Sequence, residues 1–344
     1  MPAYFLGVDI GGTKSHALIA DGDGNAVGFG TYGPGNHEEV GYEGLRTALQ
    51  TVTDKAVLLA GITKDQISAG GFGVAGYDWP SERQPTLDAI QTIGLSAPVE
   101  AVNDTIIGLL AGASQGWGVA VVAGTGTNCW GWDEHHNVGR VTGVGYGEHG
   151  GAGSLVDRAL AAIAHEWTRR GPKTQLTTEF LQLTGAKDIP ALIEGLEMGD
   201  YFLGSDFAPI IFRVATLGDP VALSIIQWAG SELGHTAVAV IRQLSIEHME
   251  FEVVLVGSLY EMDEMIIGPM RQVINSEAPK ARLVRLSSPP VVGGVLLAME
   301  NVGINPSPIR DYLIKSTSKF LNEKVYSAIH PITASNYSSS SSIK

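Results

Sequence analysis

Short apolar runs and stretches with helical spacing alternate along most of this chain. Residues 4–8, 15–20 and 26–32 are apolar runs that predict three strands, and the DGDG turn at residues 21–24 joins the last two as a hairpin. Apolar residues recur at helical spacing across residues 39–59, which predicts a long helix. The first third continues with a strand at 68–74, a helix at 81–93, a strand at 99–102 and a helix at 105–113. The predicted order is therefore βββαβαβα.

The same pattern restarts after residue 117. Strands are predicted at 118–123, 128–132 and 137–142, five helices lie between 154 and 245, and the chain continues with a strand at 252–256, a helix at 263–275, a strand at 282–286 and a helix at 290–300. This repetition predicts an α/β fold made of two similar halves. We assign residues 1–115 and about 290–330 to the first domain, 116–289 with a helical insertion to the second, and the serine-rich residues 331–344 to a disordered tail.

Composition and charge narrow the function classes. Hydrophobic residues make up 44% of the 344 residues and charged residues 17%, which is typical of a globular protein with real cores. The formal net charge of −14 argues against nucleic-acid binding. Cys129 is the single cysteine, which excludes an intrachain disulfide. The first apolar run is too short for a signal peptide and no run reaches membrane-spanning length, so we expect a cytoplasmic protein without a membrane partner.

The segment DIGGTK at residues 9–14 carries the first candidate chemistry. Asp9 offers a carboxylate suited to Mg²⁺, Gly11 and Gly12 leave backbone amides open to an anion, and Thr13 and Lys14 add a hydroxyl and a positive charge. Two interpretations stay open from these residues alone, a metal–phosphate site and a plain hairpin turn.

Further polar or glycine-rich segments follow other predicted strands. They are residues 75–78, 103–104, 124–127, 257–258 and 293–294. Ligands of open α/β sheets lie beyond the carboxyl ends of the strands, so these segments are expected to line one cleft between the halves.

These residues resemble a known family. The duplicated layout, with DIGGTK in one half and GTGT at 124–127 in the other, resembles the superfamily of sugar kinases, actin and heat-shock chaperones. Gly35-Asn36-His37, Asn103-Asp104 and the segment AGTGTNC at 123–129 resemble the N-acetylglucosamine kinases and the BadF/BadG/BcrA/BcrD ATPases. The resemblance implies two RNase H-like (actin-like ATPase) domains that close over ATP and a sugar.

The resemblance also implies a role for each matching residue. Asp9 would position Mg²⁺ through water, and Asp104 would be the general base. The residues implied to bind nucleotide or phosphate are Gly11, Gly12, Thr13, Lys14, Gly124, Thr125, Gly126, Thr127, Gly257, Ser258, Gly293 and Gly294. The residues implied to bind sugar, besides Asp104, are Asn36, Ala75, Gly76, Asn103, Asn128, Tyr146 and Glu148.

Several of these residues have plainer alternatives. Asp104 begins a predicted helix and could be its N-cap, Asn36 could be a turn residue, and Asn128 could only pair within a sheet. Cys129 is expected to be a small packed residue rather than a reactive thiol.

The chain also departs from the family. The GDEGS segment that the family carries is matched either by GEHGG at 147–151, where Glu148 replaces the acid, or by GGAGS at 150–154, which has none. We prefer the first register because it keeps a carboxylate. Ala75 stands where a hydroxyl would help to hold an N-acetyl group.

The leading hypothesis is ATP-dependent phosphorylation of a sugar or amino sugar, with Asp104 accepting the hydroxyl proton. The alternatives are an ATPase that acts on a partner protein and a non-catalytic sugar sensor. The first alternative is disfavoured because the relatives that activate dehydratases hold an iron–sulfur cluster with several cysteines, whereas Cys129 is the single cysteine of this chain. We expect ATP and Mg²⁺ as cofactors, a small sugar as the partner and no nucleic acid, and leave a homodimer open.

Overall fold

The computed structural model describes residues 3–262 and 264–321, and its first half is built on a five-stranded mixed sheet. The strands are β1 (Tyr4–Ile10), β2 (Ser15–Asp21), β3 (Ala26–Tyr32), β4 (Ile67–Val74) and β5 (Val99–Asn103), in the order β3-β2-β1-β4-β5. The first three strands form an antiparallel meander, and β4 and β5 extend it in parallel with β1. The crossovers contain helices α1 (His37–Ala60) and α2 (Arg83–Gln91), and α3 (Asp104–Gly112) leads from β5 to the second half.

The second half repeats this layout. Strands β6 (Gly118–Ala123), β7 (Thr127–Trp132), β8 (Val138–Arg140), β9 (Glu252–Val256) and β10 (Arg282–Arg285) form a sheet in the order β10-β9-β6-β7-β8. The insertion and crossovers contain helices α4 (Ala152–Trp167), α5 (Gln175–Thr184), α6 (Ile189–Met198), α7 (Ala208–Thr216), α8 (Pro220–Leu244) and α9 (Glu264–Glu277). Read from the meander outward, both sheets have the same strand order, which is the duplication that the sequence predicts.

Two helices return to the first sheet at the end of the described chain. Helix α10 (Val291–Asn301) lies against β1 and β4, and α11 (Arg310–Leu321) lies against β3. The approach of α10 is very close, because a Cβ atom on Gly7 would lie 2.4 Å from the backbone nitrogen of Val295. Residues 310–321 were not predicted as a helix. The predicted tail at 331–344 lies outside the described residues, and the domain boundaries stay a proposal.

Apolar packing joins the two halves around α3. Ile106 and Leu110 of this helix are buried with Ala120 and Trp130 of the second sheet and with Leu297 of α10. This cluster fixes the carboxyl end of β5, where α3 begins, against the start of the second meander. The predicted α/β fold class is confirmed. Of the helices in the described residues, none is long and apolar enough to cross a membrane.

Candidate active site

The Asp9–Lys14 turn lies at the carboxyl end of β1. The Gly11 amide donates to the Lys14 carbonyl at 3.1 Å, and Gly35 donates to the Gly11 carbonyl at 3.0 Å. Because β1 and β2 pair from Ile10↔Ser15 outward, the segment is a hairpin turn. Thr13 and Lys14 remain exposed, and the Asp9 carboxylate lies 3.7 Å from His16 Nδ1. The hairpin interpretation is therefore correct for the backbone, and it leaves the polar groups accessible to a ligand.

The equivalent turn of the second half, residues 124–127, joins β6 to β7. Its backbone is fixed to the start of α4, because Ala152 donates to the Gly124 carbonyl at 2.9 Å and Gly153 to the Thr125 carbonyl at 3.1 Å. A Cβ atom on Gly124 or Gly126 would meet nothing within 4 Å. These two glycines thus present bare backbone to open space, which is what close approach of a phosphate requires.

A cavity of about 370 Å³ lies beside this second turn. Gly124, Thr125 and Ser258 line it, together with Asp206 and Glu261. The neighbouring Gly257 has φ +113°, and a Cβ atom there would lie 2.3 Å from the Ala123 carbonyl oxygen, so only glycine fits. Four of the predicted nucleotide residues are therefore gathered around a cavity large enough for a nucleoside.

Gly293 and Gly294 do not share this cavity. Both are buried within α10, where a Cβ atom on Gly293 would lie 1.9 Å from the Ile107 carbonyl oxygen. The equivalent atom on Gly294 would lie 2.9 Å from the Gly71 carbonyl oxygen. Close packing against α3 and β4 accounts for both glycines, and their contact with adenosine stays a prediction.

Asp104 is the first residue of α3, at the junction of the halves. The N-cap of this helix is Asn103, whose Oδ1 accepts from the Thr105 amide at 2.9 Å, so the capping alternative for Asp104 is wrong. Burial raises the pKa of the Asp104 carboxyl to about 7, with the nearby charges of Asp9 and Asp78 adding to the shift. The charges of Asp9 and Asp78 thus act on Asp104, whose raised pKa lies in the range where a general base is effective.

Asp78 belongs to the segment 75–78 that the sequence places in the cleft, but the sequence assigned it no role. Its Oδ1 accepts from Asn103 Nδ2 at 3.1 Å, and the Asn128 side chain of the second half also donates to it. Burial raises the pKa of Asp78 to about 6; Glu38 contributes in the same direction, while Arg140 opposes the shift. Asp78 therefore links the two halves beside Asp104. Its place directly after a buried strand was the available signal in the sequence.

Asn36 and Gly76 meet on the first-half side of the site. Asn36 is the N-cap of α1, with Oδ1 accepting from the Glu38 amide at 3.0 Å. Gly76 has φ +80°, and a Cβ atom there would lie 2.3 Å from Asn36 Oδ1. Ala75 is tied to the carboxyl end of β1 through a 2.9 Å hydrogen bond from its amide to the Ile10 carbonyl. Three predicted sugar residues are thus close together, although Asn36 also serves a cap.

The loop at residues 142–150 is organised by Glu148. Its two carboxylate oxygens accept from the amides of Thr142, Gly143 and Gly145 and from the Thr142 hydroxyl, at 2.5–3.2 Å. The carboxylate predicted to bind sugar hydroxyls is thus engaged with its own loop. Tyr146 is 85% exposed and contacts no other predicted sugar residue through a hydrogen bond in the described part of the chain. Gly143 reaches the site, because a Cβ atom there would lie 3.2 Å from Asp78 Oδ1.

Comparison with known proteins identifies the family. The family model described as the BadF/BadG/BcrA/BcrD ATPase family matches residues 6–298, which is most of the chain. The chain belongs to this family. The resemblance noted in the sequence is thereby confirmed.

Curated relatives and solved structures extend the comparison. The N-acetylmuramic acid/N-acetylglucosamine kinase of Clostridium acetobutylicum is 25% identical over 300 residues, covering 86% of this chain and 98% of the relative. The N-acetyl-D-glucosamine kinase of Dictyostelium discoideum is 26% identical over 319 residues, with the same two coverages. Among solved structures, a protein of Chromobacterium violaceum assigned provisionally as an N-acetylglucosamine kinase superposes with a TM-score of 0.64 at 20% identity, covering 86% of this chain and 98% of that one.

A ROK family glucokinase of Streptomyces griseus, solved with glucose and AMPPNP, superposes with a TM-score of 0.54 at 17% identity. It covers 87% of this chain and all of its own. These structural matches place the chain in the actin-like ATPase fold of the sugar kinases.

Two cavities adjoin at Trp79 and Arg140 in this family member. One, of about 410 Å³, is lined by residues of both halves, among them Asp78, Asn103, Trp130 and Arg140. The other, of about 610 Å³, lies under the 142–150 loop and is lined by Tyr146 and Glu148 and by residues of α8. Trp79 and Arg140 line both cavities and form the wall between them. Neither residue was singled out from the sequence.

Metal and thiol chemistry are constrained by the same geometry. Within residues 3–262 and 264–321 there is no group of three or more His, Cys, Asp or Glu side chains arranged to hold a metal ion. The predicted Mg²⁺ site at Asp9 fits only a hydrated ion completed by phosphate oxygens, which is how Mg²⁺ is often bound.

Cys129 is fully buried in β7, and burial raises the pKa of its thiol well above the usual range. It is the packed residue expected from the sequence.

Proposed function

We propose that the protein is an ATP-dependent kinase that phosphorylates a hydroxyl group of an N-acetylated amino sugar. The observation that carries the proposal is the position of Asp104, a carboxyl with a pKa near 7 beside Asp9 at the foot of the Asp9–Lys14 turn. On its other side lies Asp78 with its asparagine donors. The names of the two curated relatives favour N-acetylglucosamine and N-acetylmuramic acid as substrates.

The arrangement suits phosphoryl transfer, which depends on positioning and charge neutralisation. The two turns, residues 9–14 and 124–127, would hold the phosphates through backbone amides and the Lys14 ammonium. Asp104 would accept the proton of the sugar hydroxyl as that oxygen attacks the γ-phosphorus. Bound Mg²⁺, held near Asp9, would neutralise phosphate charge. Closure of the halves around α3 would exclude water and limit ATP hydrolysis.

The decisive experiment is an assay of ADP release with N-acetylglucosamine, N-acetylmuramic acid, glucosamine and glucose, followed by NMR of the product. Asp104→Asn is expected to reduce phosphorylation by about 100- to 10,000-fold. Asp311→Asn is the matched control, because Asp311 lies in the first turn of α11 with its side chain 94% exposed. Near-wild-type phosphorylation by the Asp104 variant would exclude it as the base.

The two alternatives make different predictions. A partner-activating ATPase with a shared iron–sulfur cluster needs accessible cysteines, whereas Cys129 is buried. Purified protein that contains iron and loses activity when the iron is removed would support that alternative. A non-catalytic sensor would bind the sugar without releasing ADP. The cytoplasmic location stays a prediction, and the homodimer is a question for light scattering.

A further inference from the structure

We infer that the 410 Å³ cavity beside Asn103 is a subsite for a carboxylate-bearing substituent of the sugar, and that Arg140 recognises the carboxylate. The inference rests on the proposed kinase function and names the substrate class of that site. It concerns a neighbouring region of the cleft, outside the groups assigned to phosphoryl transfer.

Arg140 is held in place by aromatic rings from both halves. It ends β8 and pairs with Trp130 of β7 in the antiparallel register. Its guanidinium carbon lies 5.0 Å from the Trp130 ring centroid and 4.5 Å from that of Trp79. Its backbone is fixed from α8, since Gln243 donates to the Arg140 carbonyl and accepts from its amide, both at 3.0 Å. A guanidinium stacked on indole rings keeps its in-plane N–H groups available for a carboxylate.

The donors of this wall lack acceptors. Arg140 Nη1 is buried without a hydrogen-bond partner in the described residues, and Arg140 forms no ion pair there. The indole Nε1 of Trp130, whose side chain is 9% exposed, is also buried and unpartnered within the described chain. Buried donors are nearly always paired in folded proteins, so two unpaired donors on residues that line one cavity point to an acceptor supplied by a ligand.

Arg140 has no ion-pair partner among the described residues, although its charge lowers the pKa of Asp78, which lines the same cavity. Glu100 lies 3.9 Å from Arg83 Nη1, and Asp78 accepts from Asn103 and Asn128. The remaining walls are largely apolar, with Ile106, Trp132 and Val138. This combination suits a short apolar stem that ends in a carboxylate, as in a carboxyalkyl ether on the sugar ring. Asp78 and Asn103 line the cavity on the side of Asp104, so the ring and its substituent can be bound together.

The test compares N-acetylmuramic acid with N-acetylglucosamine, because the former carries a carboxylate-bearing lactyl ether on the same amino sugar. In wild-type protein, kcat/KM is measured for both sugars, and the measurement is repeated for Arg140→Gln and Arg140→Lys. The ratio of kcat/KM for the acidic sugar to that for the neutral sugar is expected to fall about 10- to 100-fold in Arg140→Gln. The ratio should fall less in Arg140→Lys, because lysine keeps the positive charge but lacks the planar donors of arginine.

The control is Arg213→Gln, an exposed arginine of α7 paired with Glu179. It should leave the ratio at the wild-type value. Calorimetric binding of N-acetylmuramic acid without ATP gives a second readout. Its affinity should weaken with added salt in wild-type protein and in Arg213→Gln, and much less in Arg140→Gln.

Each of the following outcomes would overturn the inference. An unchanged ratio in both Arg140 variants would remove Arg140 from recognition. An equal loss for both sugars, with a lowered melting temperature, would make Arg140 structural. A larger loss for a neutral disaccharide would assign the cavity to a second sugar ring. If wild-type protein phosphorylates neither sugar, the proposed function itself fails, whereas activity on the neutral sugar alone overturns only the subsite.

Discussion

Replacing Asp104 by asparagine should make the protein more stable while nearly abolishing its activity. Folding raises the pKa of Asp104 from 3.8 to about 7 because the carboxyl is buried beside Asp9 and Asp78. At about 1.4 kcal/mol per pKa unit, its ionised form destabilises the folded state by about 4 kcal/mol above pH 7. Asparagine keeps the shape but carries no charge, so the variant gains up to that amount.

The sign of the effect sets its pH dependence. Because folding raises the pKa of Asp104, the folded state binds its proton more tightly than the unfolded state. The contribution of Asp104 to the free energy of unfolding is therefore fully present below pH 3.8 and is lost as the pH rises to about 7. The gain of Asp104→Asn should therefore be about 4 kcal/mol at pH 8 and about 2 kcal/mol at pH 5.

Thermal and urea unfolding of ligand-free wild-type and variant protein at the two pH values measure the difference. Asp311→Asn, at an exposed helix start, should show no such pH-dependent gain. A variant that is less stable than wild type at pH 8, or whose gain is the same at both pH values, would refute the reasoning.

Four further predictions follow from the same site. For the wild-type kinase, kcat/KM for the sugar should fall about tenfold per pH unit below pH 7 and level off above it, since Asp104 must be ionised to accept a proton. A flat profile of kcat/KM between pH 5.5 and 8 would contradict this prediction. Gly126→Ala and Gly293→Ala form a matched pair. Gly126→Ala should weaken ATP binding about tenfold in calorimetry with no loss of stability, because its Cβ meets open space. Gly293→Ala should lower the free energy of unfolding by about 1–3 kcal/mol or more, because its Cβ would lie 1.9 Å from a carbonyl oxygen. Glu148→Gln should speed hydrogen exchange at residues 142–145, whose amides lose their carboxylate acceptor, while exchange in β6 stays unchanged. Cys129 should resist a thiol reagent in the native protein and react only at the rate of unfolding; fast labelling would show that β7 opens.

Patterns within a segment could predict most of the fold. The strand at Ala26–Tyr32, the strand at Glu252–Val256 and the helix at Ile189–Met198 have the bounds expected from apolar spacing. Helix α11 was not predicted because it packs through few buried side chains, among them Leu313 and Phe320. Its attachment to β3 depends on partners such as the Ala26 amide, which donates to Ser316 Oγ at 2.8 Å and lies 290 residues away in the chain. No local pattern encodes such a contact.

The same limit applies at the predicted site. A glycine pair after a strand predicts a ligand loop, but the sequence cannot show whether the missing side chain makes room for a phosphate or for a helix. At Gly124 and Gly126 the backbone faces open space, whereas at Gly293 and Gly294 it faces α3 and β4. Glu148 was assigned to sugar hydroxyls by its place in a motif. The Glu148 oxygens accept from amides three to six residues away, which a motif comparison does not reveal, and the contact of Glu148 with sugar stays a prediction.

Asp78 is the shared hydrogen-bond partner of Asn103 and Asn128, the two asparagines predicted to bind sugar at this point of the cleft. Asn103 donates through Nδ2 to Asp78 and to the Tyr77 carbonyl and accepts through Oδ1 from Thr105, so its amide group is fully used. Asn128 accepts from the Cys129 amide and donates to Asp78. Both asparagines therefore position a carboxylate more than they offer groups to a sugar. Since Glu148 is engaged within its own loop, the acid that stands beside Asp104 and reaches both halves of the cleft is Asp78.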